Sequence, residues 1–172
     1  TAMEHGLTPS SVRQDEPVVI HIPGQPDWAP GNYEHEFHGP TTLTEALADS
    51  YNMVAIRVTQ EIGGENVIAT AQRLGIRSPL HNYHSLALGA QEVTLMEMVQ
   101  AYGTMAAGGY NIEPHGIVRI RRAGSDEVMW SWRPQRHVQL IEDRPRRLMD
   151  FMMSRVVQAG TGTHAQIPGR DI

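Results

Sequence analysis

Ala48-Asp49-Ser50-Tyr51-Asn52-Met53-Val54 sets a serine, and an asparagine two residues later, inside an otherwise apolar helical region. Short polar side chains compete for backbone hydrogen bonds, so they interrupt a helix rather than extend it. Two readings account for the interruption. In the first, one helix ends near Asp49 and Ser50 or Asn52 caps the start of the next. In the second, Ser50 and Asn52 lie on a short connection facing a cleft, to which they present a hydroxyl and a carboxamide. The pattern alone does not separate them. Either way the stretch is a joint between two helices, and the rest of the chain is organised around it.

Upstream of the joint, Thr42-Leu43-Thr44-Glu45 has the form of a capping box, and Ala46 and Leu47 follow at helical spacing. Downstream, a helical stretch from about Met53 to Ile62 stops at Gly63-Gly64. A third stretch carries Val67, Ile68, Ala71 and Leu74 on one face and stops at Gly75. Thr94-Leu95-Met96-Glu97 is a second capping box, and the apolar stripe behind it runs through Met98, Val99, Tyr102 and Met105 to Gly108-Gly109. Val118 and Ile120, then Val128, Trp130 and Trp132, alternate around Ala123-Gly124-Ser125-Asp126, which predicts a β-hairpin. A last helix is expected from about Arg144 to Gln158, with Leu148, Phe151, Met152 and Val156 inward and Gly160-Thr161-Gly162 closing it. Residues 7–40 read as a long ordered loop with one strand candidate, Val18-Val19-Ile20-His21-Ile22. The fold class is α+β: a mainly helical part with one hairpin.

Composition bounds the chemistry. The chain has 172 residues, 40% apolar and 19% charged, enough for one domain with a core. The net charge of -5 and the absence of basic runs exclude nucleic acid as an expected partner. There is no cysteine, so no disulfide or thiolate metal site. No run is long enough to span a membrane, and Thr1 does not open a signal peptide. All 14 basic residues are arginine. A mechanism that needs a lysine amine therefore needs residues from elsewhere. Thr1 to Gly6 reads as the tail of a helix capped by Gly6, and Pro168-Gly169-Arg170-Asp171-Ile172 as a turn leading onward. Both ends suggest an internal segment of a larger protein.

Other candidates carry bland readings. His35-Glu36-Phe37-His38 lacks the H-E-x-x-H spacing of a zinc helix and has no evident third ligand, so neither a metal nor a cofactor is expected. Met149, Met152 and Met153 read as core filler, and Trp130 and Trp132 as packing on one face of the hairpin.

The joint and its surroundings resemble the transpeptidase domain of class A penicillin-binding proteins, nearly end to end. Trp28-Ala29-Pro30-Gly31-Asn32-Tyr33 matches the family's W-x-P-x-N-Y loop. Phe37-His38-Gly39-Pro40 and Thr42-Leu43-Thr44-Glu45-Ala46-Leu47 match the approach to its serine-x-asparagine motif, where Ser50-Tyr51-Asn52 sits. Ser85-Leu86-Ala87-Leu88-Gly89-Ala90, with Glu92-Val93-Thr94, resembles a segment that favours class A over class B. Ala101-Tyr102-Gly103 through Gly108-Gly109 follows in order, and Gly160-Thr161-Gly162 resembles the approach to the third motif. The family's serine-x-x-lysine and lysine-threonine-glycine motifs are not in the chain, which accords with its lack of lysine.

The resemblance implies a partial DD-transpeptidase domain, related to the serine β-lactamases, over residues 1–172, with the central sheet largely outside the chain. It implies acyl transfer through serine from D-Ala-D-Ala stem peptides of peptidoglycan, stalled by β-lactams. Ser50 would relay a proton between a lysine and the amine, and Asn52 would hold that lysine and orient the substrate amide. The segment by itself would be inactive. The implied location is the cell envelope, on the periplasmic or extracytoplasmic side of the inner membrane, with glycosyltransferase domain and anchor outside this chain. Two alternatives remain open from sequence. A non-catalytic wall-binding or interaction module needs no lysine. A related penicillin-recognising hydrolase uses similar motifs, although the W-x-P-x-N-Y and S-L-A-L-G-A segments argue against it.

Overall fold

The computed structural model describes residues 1–133 and 137–170. A short 3-10 helix, Ala2–His5, ends at Gly6 in the left-handed region, as its glycine cap leads one to expect. Two short strands, β1 (Val12–Asp15) and β2 (Gly39–Thr42), pair antiparallel, with Val12 opposite Thr42 and Asp15 opposite Gly39. Then come α1 (Leu43–Ala48), α2 (Asn52–Ile62) and α3 (Gly64–Arg73). A 3-10 turn at His84–Leu88 precedes α4 (Leu95–Ala106). The predicted hairpin is present as β3 (Arg119–Arg121) and β4 (Val128–Ser131), with an irregular register between Ile120 and Arg121. Helix α5 (Asp143–Ala159) and a 3-10 turn at Thr163–Ala165 close the described chain. Among the described residues the strands form two separate two-stranded sheets and no closed sheet. The architecture is α+β, as expected, with one more strand pair than the sequence revealed.

Helix α2 is the axis of the core. Met53, Val54 and Ile56 are buried on successive faces, as in a helix enclosed by protein on several sides. Val54 packs with Leu43 and Ala46 of α1 and Met152 of α5. Met53 and Ile56 pack with Val18, and partly with Trp28, Ala87 and Leu88. The segments Trp28–Tyr33 and Ser85–Ala90, quoted above for their order in sequence, thus meet on one side of α2.

The structure corrects two expectations. Val18–Ile22 is not a strand: Ile20 forms one isolated bridge with Trp28, and the strand lies earlier, at Val12–Asp15. The β-branched run reflects burial of Val18 against α2 rather than sheet pairing. Phe151 does not face inward but is 52% exposed, whereas Met152 beside it is buried. The stripe on α4, by contrast, forms at its predicted spacing and is largely uncovered, with Leu95 80% exposed and Val99 and Tyr102 also exposed, as expected of a face left open where the central sheet lies outside the chain. Trp132 stacks on His115 with ring centroids 3.8 Å apart, while Trp130 stands opposite Ile120 and is exposed.

Both capping boxes form. Thr42 Oγ1 accepts from the Glu45 amide and the Glu45 carboxylate from the Thr42 amide, with the same exchange between Thr94 and Glu97. Glu97 does more than cap. Its carboxylate also accepts from the amides of Arg77 and Ser78 and from the Ser78 hydroxyl, each at 2.7 Å, tying the loop after α3 to the start of α4. These donors, led by the Thr94 amide, hold the Glu97 carboxyl down at about 2 against an ordinary 4.5. A depressed carboxylate stabilises the fold above its unfolded value and loses that contribution as pH falls through the folded one. The amides of Arg77 and Ser78 should therefore lose hydrogen-exchange protection between about pH 4.5 and pH 2. Glu97→Gln should flatten that pH dependence; an unchanged profile would show that the junction is held by other contacts.

Candidate active site

The joint at Ser50 is assembled from both helices. At the end of α1 the Asp49 amide donates to the Glu45 carbonyl at 2.9 Å, and the Tyr51 amide donates to the Ala46 carbonyl at 2.8 Å. The second bond is the six-residue closure of a Schellman motif, which places Ser50 at the position where helices usually take glycine. Ser50 adopts φ 61, the left-handed conformation that position demands. A β-carbon there is unfavourable by roughly 1–2 kcal/mol. Strained residues of this kind concentrate at functional sites, where the surroundings hold them.

The capping reading of Ser50 and Asn52 does not describe this joint. Tyr51 occupies the N-cap of α2 and makes no side-chain cap, and Asn52 is the first helical residue. The cap comes from a distance. Asn32 Oδ1 accepts from the Asn52 amide at 2.9 Å and, more weakly, from the Met53 amide at 3.4 Å. The Ser50 hydroxyl makes no hydrogen bond among the described residues and is exposed. Asn52 Nδ2 donates to the Gly31 carbonyl at 2.9 Å. Since a carbonyl must face the amide nitrogen, Oδ1 of Asn52 is turned away from Gly31 and left as an acceptor.

Ser50 and Asn52 line one cavity of about 590 Å³, whose walls include Thr1, Val54, Tyr102 and Met149. The first residues of the chain therefore reach the same space as the joint. The segment after α5 packs against the end of α1 beside the joint. The Thr161 amide donates to the Ala48 carbonyl at 2.9 Å, and Gly160 lies so close to Ala48 that a β-carbon would sit 2.2 Å from that oxygen. The cavity thus brings the first residues of the chain to the joint, and the segment after α5 closes on Ala48, two residues before Ser50.

Behind the joint lies a polar unit that the sequence did not single out. Asp15, at the end of β1, is fully buried. Its carboxylate accepts from Asn32 Nδ2 at 2.9 Å to each oxygen, from the His38 amide at 3.0 Å and from His38 Nδ1 at 3.1 Å. The His38 ring stacks flat on Tyr51, centroids 4.3 Å apart and planes within 9°. Burial, with the field of Asp49 and Asp15 added, raises the Tyr51 phenol above its ordinary value, so the ring stays neutral. His38 is thus committed to the joint. His35 takes a left-handed backbone conformation, and no cluster of three or more potential metal ligands exists among the described residues. Asn32 and His38 were visible only as members of sequence segments. Asp15 carried no signal at all, because its role depends on contacts 17 and 23 residues away.

The family described as the penicillin binding protein transpeptidase domain matches residues 1–172. Penicillin-binding protein 1A of Haemophilus influenzae is 41% identical over 121 residues, 70% of this chain and 14% of that protein. Penicillin-binding protein 2D of Bacillus subtilis is 31% identical over 173 residues, 99% of this chain and 25% of that protein. The crystal structure of the Haemophilus influenzae protein superposes with a TM-score of 0.89 at 28% identity, over 95% of this chain and 30% of that one. This chain spans a quarter or less of the length of these two relatives.

Proposed function

Because the chain belongs to the transpeptidase domain family of class A penicillin-binding proteins, we infer that it forms part of a peptidoglycan cross-linking DD-transpeptidase in which Ser50 and Asn52 serve the acyl transfer. The observation that carries this reading is Ser50 itself. A serine stands where the backbone calls for glycine, its hydroxyl unpaired among the described residues, on a cavity reached by the chain's first residues. A structural serine gains nothing from that strain.

The chemistry follows from the groups. A serine nucleophile and its lysine base come from the remainder of the protein, since this chain has no lysine. The nucleophilic oxygen bonds to the penultimate D-Ala carbonyl carbon, and the amide bond to the terminal D-Ala breaks. The serine proton passes by way of the lysine and Ser50 to the leaving nitrogen. A hydroxyl suits that relay because it accepts and donates at once. In the second half-reaction an amine of a neighbouring stem attacks the ester, and its proton returns along the same route. Asn52 Oδ1 accepts from the lysine ammonium, and Gly31 fixes the orientation of the carboxamide. β-Lactams acylate the same serine and stop there.

The whole protein would act on the outer face of the inner membrane, with its anchor elsewhere. No described helix of this chain is long and apolar enough to cross a membrane. The direct test is labelling with a fluorescent penicillin, followed by denaturing electrophoresis. The full-length protein should carry a covalent adduct and residues 1–172 alone should carry none. An adduct on the isolated segment would overturn the assignment, and an unlabelled full-length protein would favour a non-catalytic wall-binding module.

A further inference from the structure

We propose that the buried Asp15–Asn32–His38 unit is a positioning device that sets Ser50 and Asn52 for acyl transfer, acting from behind the joint without touching substrate. The inference rests on the catalytic reading of those two residues. Asn32 is 5% exposed, and both ends of its carboxamide are engaged. Its nitrogen donates to Asp15 and to the Glu36 carbonyl at 2.9 Å, while its oxygen holds the first amides of α2. This fixes its orientation without ambiguity.

The unit also has a polarity. A buried carboxylate faces the donor end of Asn32, and the acceptor end of Asn32 faces the positive end of α2, an order in which each dipole supports the next. Asp15 is held in turn by His38, whose ring lies on Tyr51, so the unit meets the joint at two points, the Tyr51 ring and the Asn52 amide. The Gly31 carbonyl next to Asn32 aims the Asn52 carboxamide. The groups that hold Tyr51 and the start of α2, His38 and Asn32, are therefore anchored to one buried carboxylate. The Ser50 hydroxyl makes no hydrogen bond among the described residues, and its left-handed backbone is set by its neighbours.

Removing this control should slow the reaction in molecules that remain folded, because misplacement of about 1 Å can lower a rate on the order of 10²-fold. The test uses the full-length protein and two readouts of penicillin acylation: the rate constant, and the final fraction of molecules labelled. Asn32→Asp keeps an acceptor for α2 but sets one carboxylate against another. Its rate constant should fall at least tenfold, with most molecules still labelled at the end. Asp15→Asn combined with Asn32→Asp restores a donor facing an acceptor and should recover much of the rate, which a general loss of packing would not allow. Should Asn32→Asp fail to fold, His38→Ala decides, since the His38 side chain is 36% exposed and its loss is tolerable; a fall of about threefold or more is expected. A wild-type rate constant with only a smaller labelled fraction, in whichever of these variants folds, would reduce the unit to a structural role and overturn the proposal. Ser50→Ala belongs in the same series. If Ser50→Ala acylates normally, the catalytic reading fails and this inference with it. If Ser50→Ala is slow while Asn32→Asp and His38→Ala are normal, only the positioning role fails.

Discussion

Ser50→Ala in the full-length protein should lower the second-order rate of penicillin acylation at least tenfold while leaving the melting temperature nearly unchanged. General acid–base groups of this kind contribute typically about 10²–10⁴-fold. A capping serine would behave in the opposite way, losing about 0.5–2 kcal/mol of stability with acylation intact. The joint has no such cap to lose: among the described residues the Ser50 side chain accepts from no amide, and the start of α2 is held by Asn32. Alanine keeps the β-carbon and so keeps the same left-handed strain. Ser50→Gly sharpens the test. Glycine is the preferred residue at this point of a Schellman motif, so this variant should melt at the same temperature or higher. It should nevertheless acylate as slowly as Ser50→Ala. Stability and activity would then move in opposite directions at one residue. Asn52→Ala should also lose at least about tenfold, because it removes the acceptor for the ammonium and the contact with Gly31. Ser10→Ala, in the long loop, is the control. Normal acylation in Ser50→Ala would leave the joint as a helix connection without chemistry.

Gly160→Ala should be the most damaging single methyl group in the chain. A β-carbon at that position would sit 2.2 Å from the carbonyl oxygen of Ala48, 2.7 Å from its carbonyl carbon and 2.9 Å from its Cα. All three are backbone atoms, so no rotamer change relieves the clash. Either the end of α1 or the end of α5 must shift, and the Thr161 amide bond to Ala48 is lost with it. Overpacking of about 1–3 kcal/mol and a lost hydrogen bond of about 1 kcal/mol together predict destabilisation of about 3 kcal/mol. Ala48 lies two residues before Ser50, so acylation should slow as well, on the order of tenfold or more in the molecules that stay folded. Gly116→Ala is the matched control, since nothing lies within 4 Å of its added carbon. Thermal melts and acylation rates on both variants check the pair. A Gly160→Ala protein that melts and acylates like the parent would show that α1 and α5 are not rigidly joined.

Local signals were legible for local reasons. The capping boxes at Thr42 and Thr94 exchange bonds over three residues, and both formed where the sequence placed them. The glycine stops at Gly6 and Gly63 ended their helices, and the hairpin turn lay where alternation changed phase. Burial was legible only in part. The α4 stripe has helical spacing, and Leu95, Val99 and Tyr102 stay exposed, as expected of a face whose covering sheet lies outside the chain. Periodicity tells which residues share a face and not what covers it. Phe151 was placed inward on its apolar character, but the face of α5 that packs on α1 and α2 is the one carrying Met152.

What the amino-acid sequence determined by itself was the order of the helices, the α+β class, the joint at Ser50-Tyr51-Asn52 and, through a succession of short segments, the family. These rest on contacts between residues close in the chain, or on side-chain chemistry that needs no geometry to be recognised. Only the tertiary structure decided that neither Ser50 nor Asn52 caps α2, and what holds the joint in place. The pairing of β1 with β2 spans more than twenty residues. The cap on α2 arrives from Asn32, twenty residues upstream. The contact of Gly160 and Thr161 with Ala48 crosses more than a hundred. Ser50 and Asn52 could serve as their own caps in an isolated peptide. Asn32, anchored on a buried carboxylate, takes that task in the folded chain, because a preorganised acceptor loses less conformational freedom on binding the helix end than a mobile local side chain does. That substitution leaves the serine hydroxyl without a hydrogen-bond partner among the described residues.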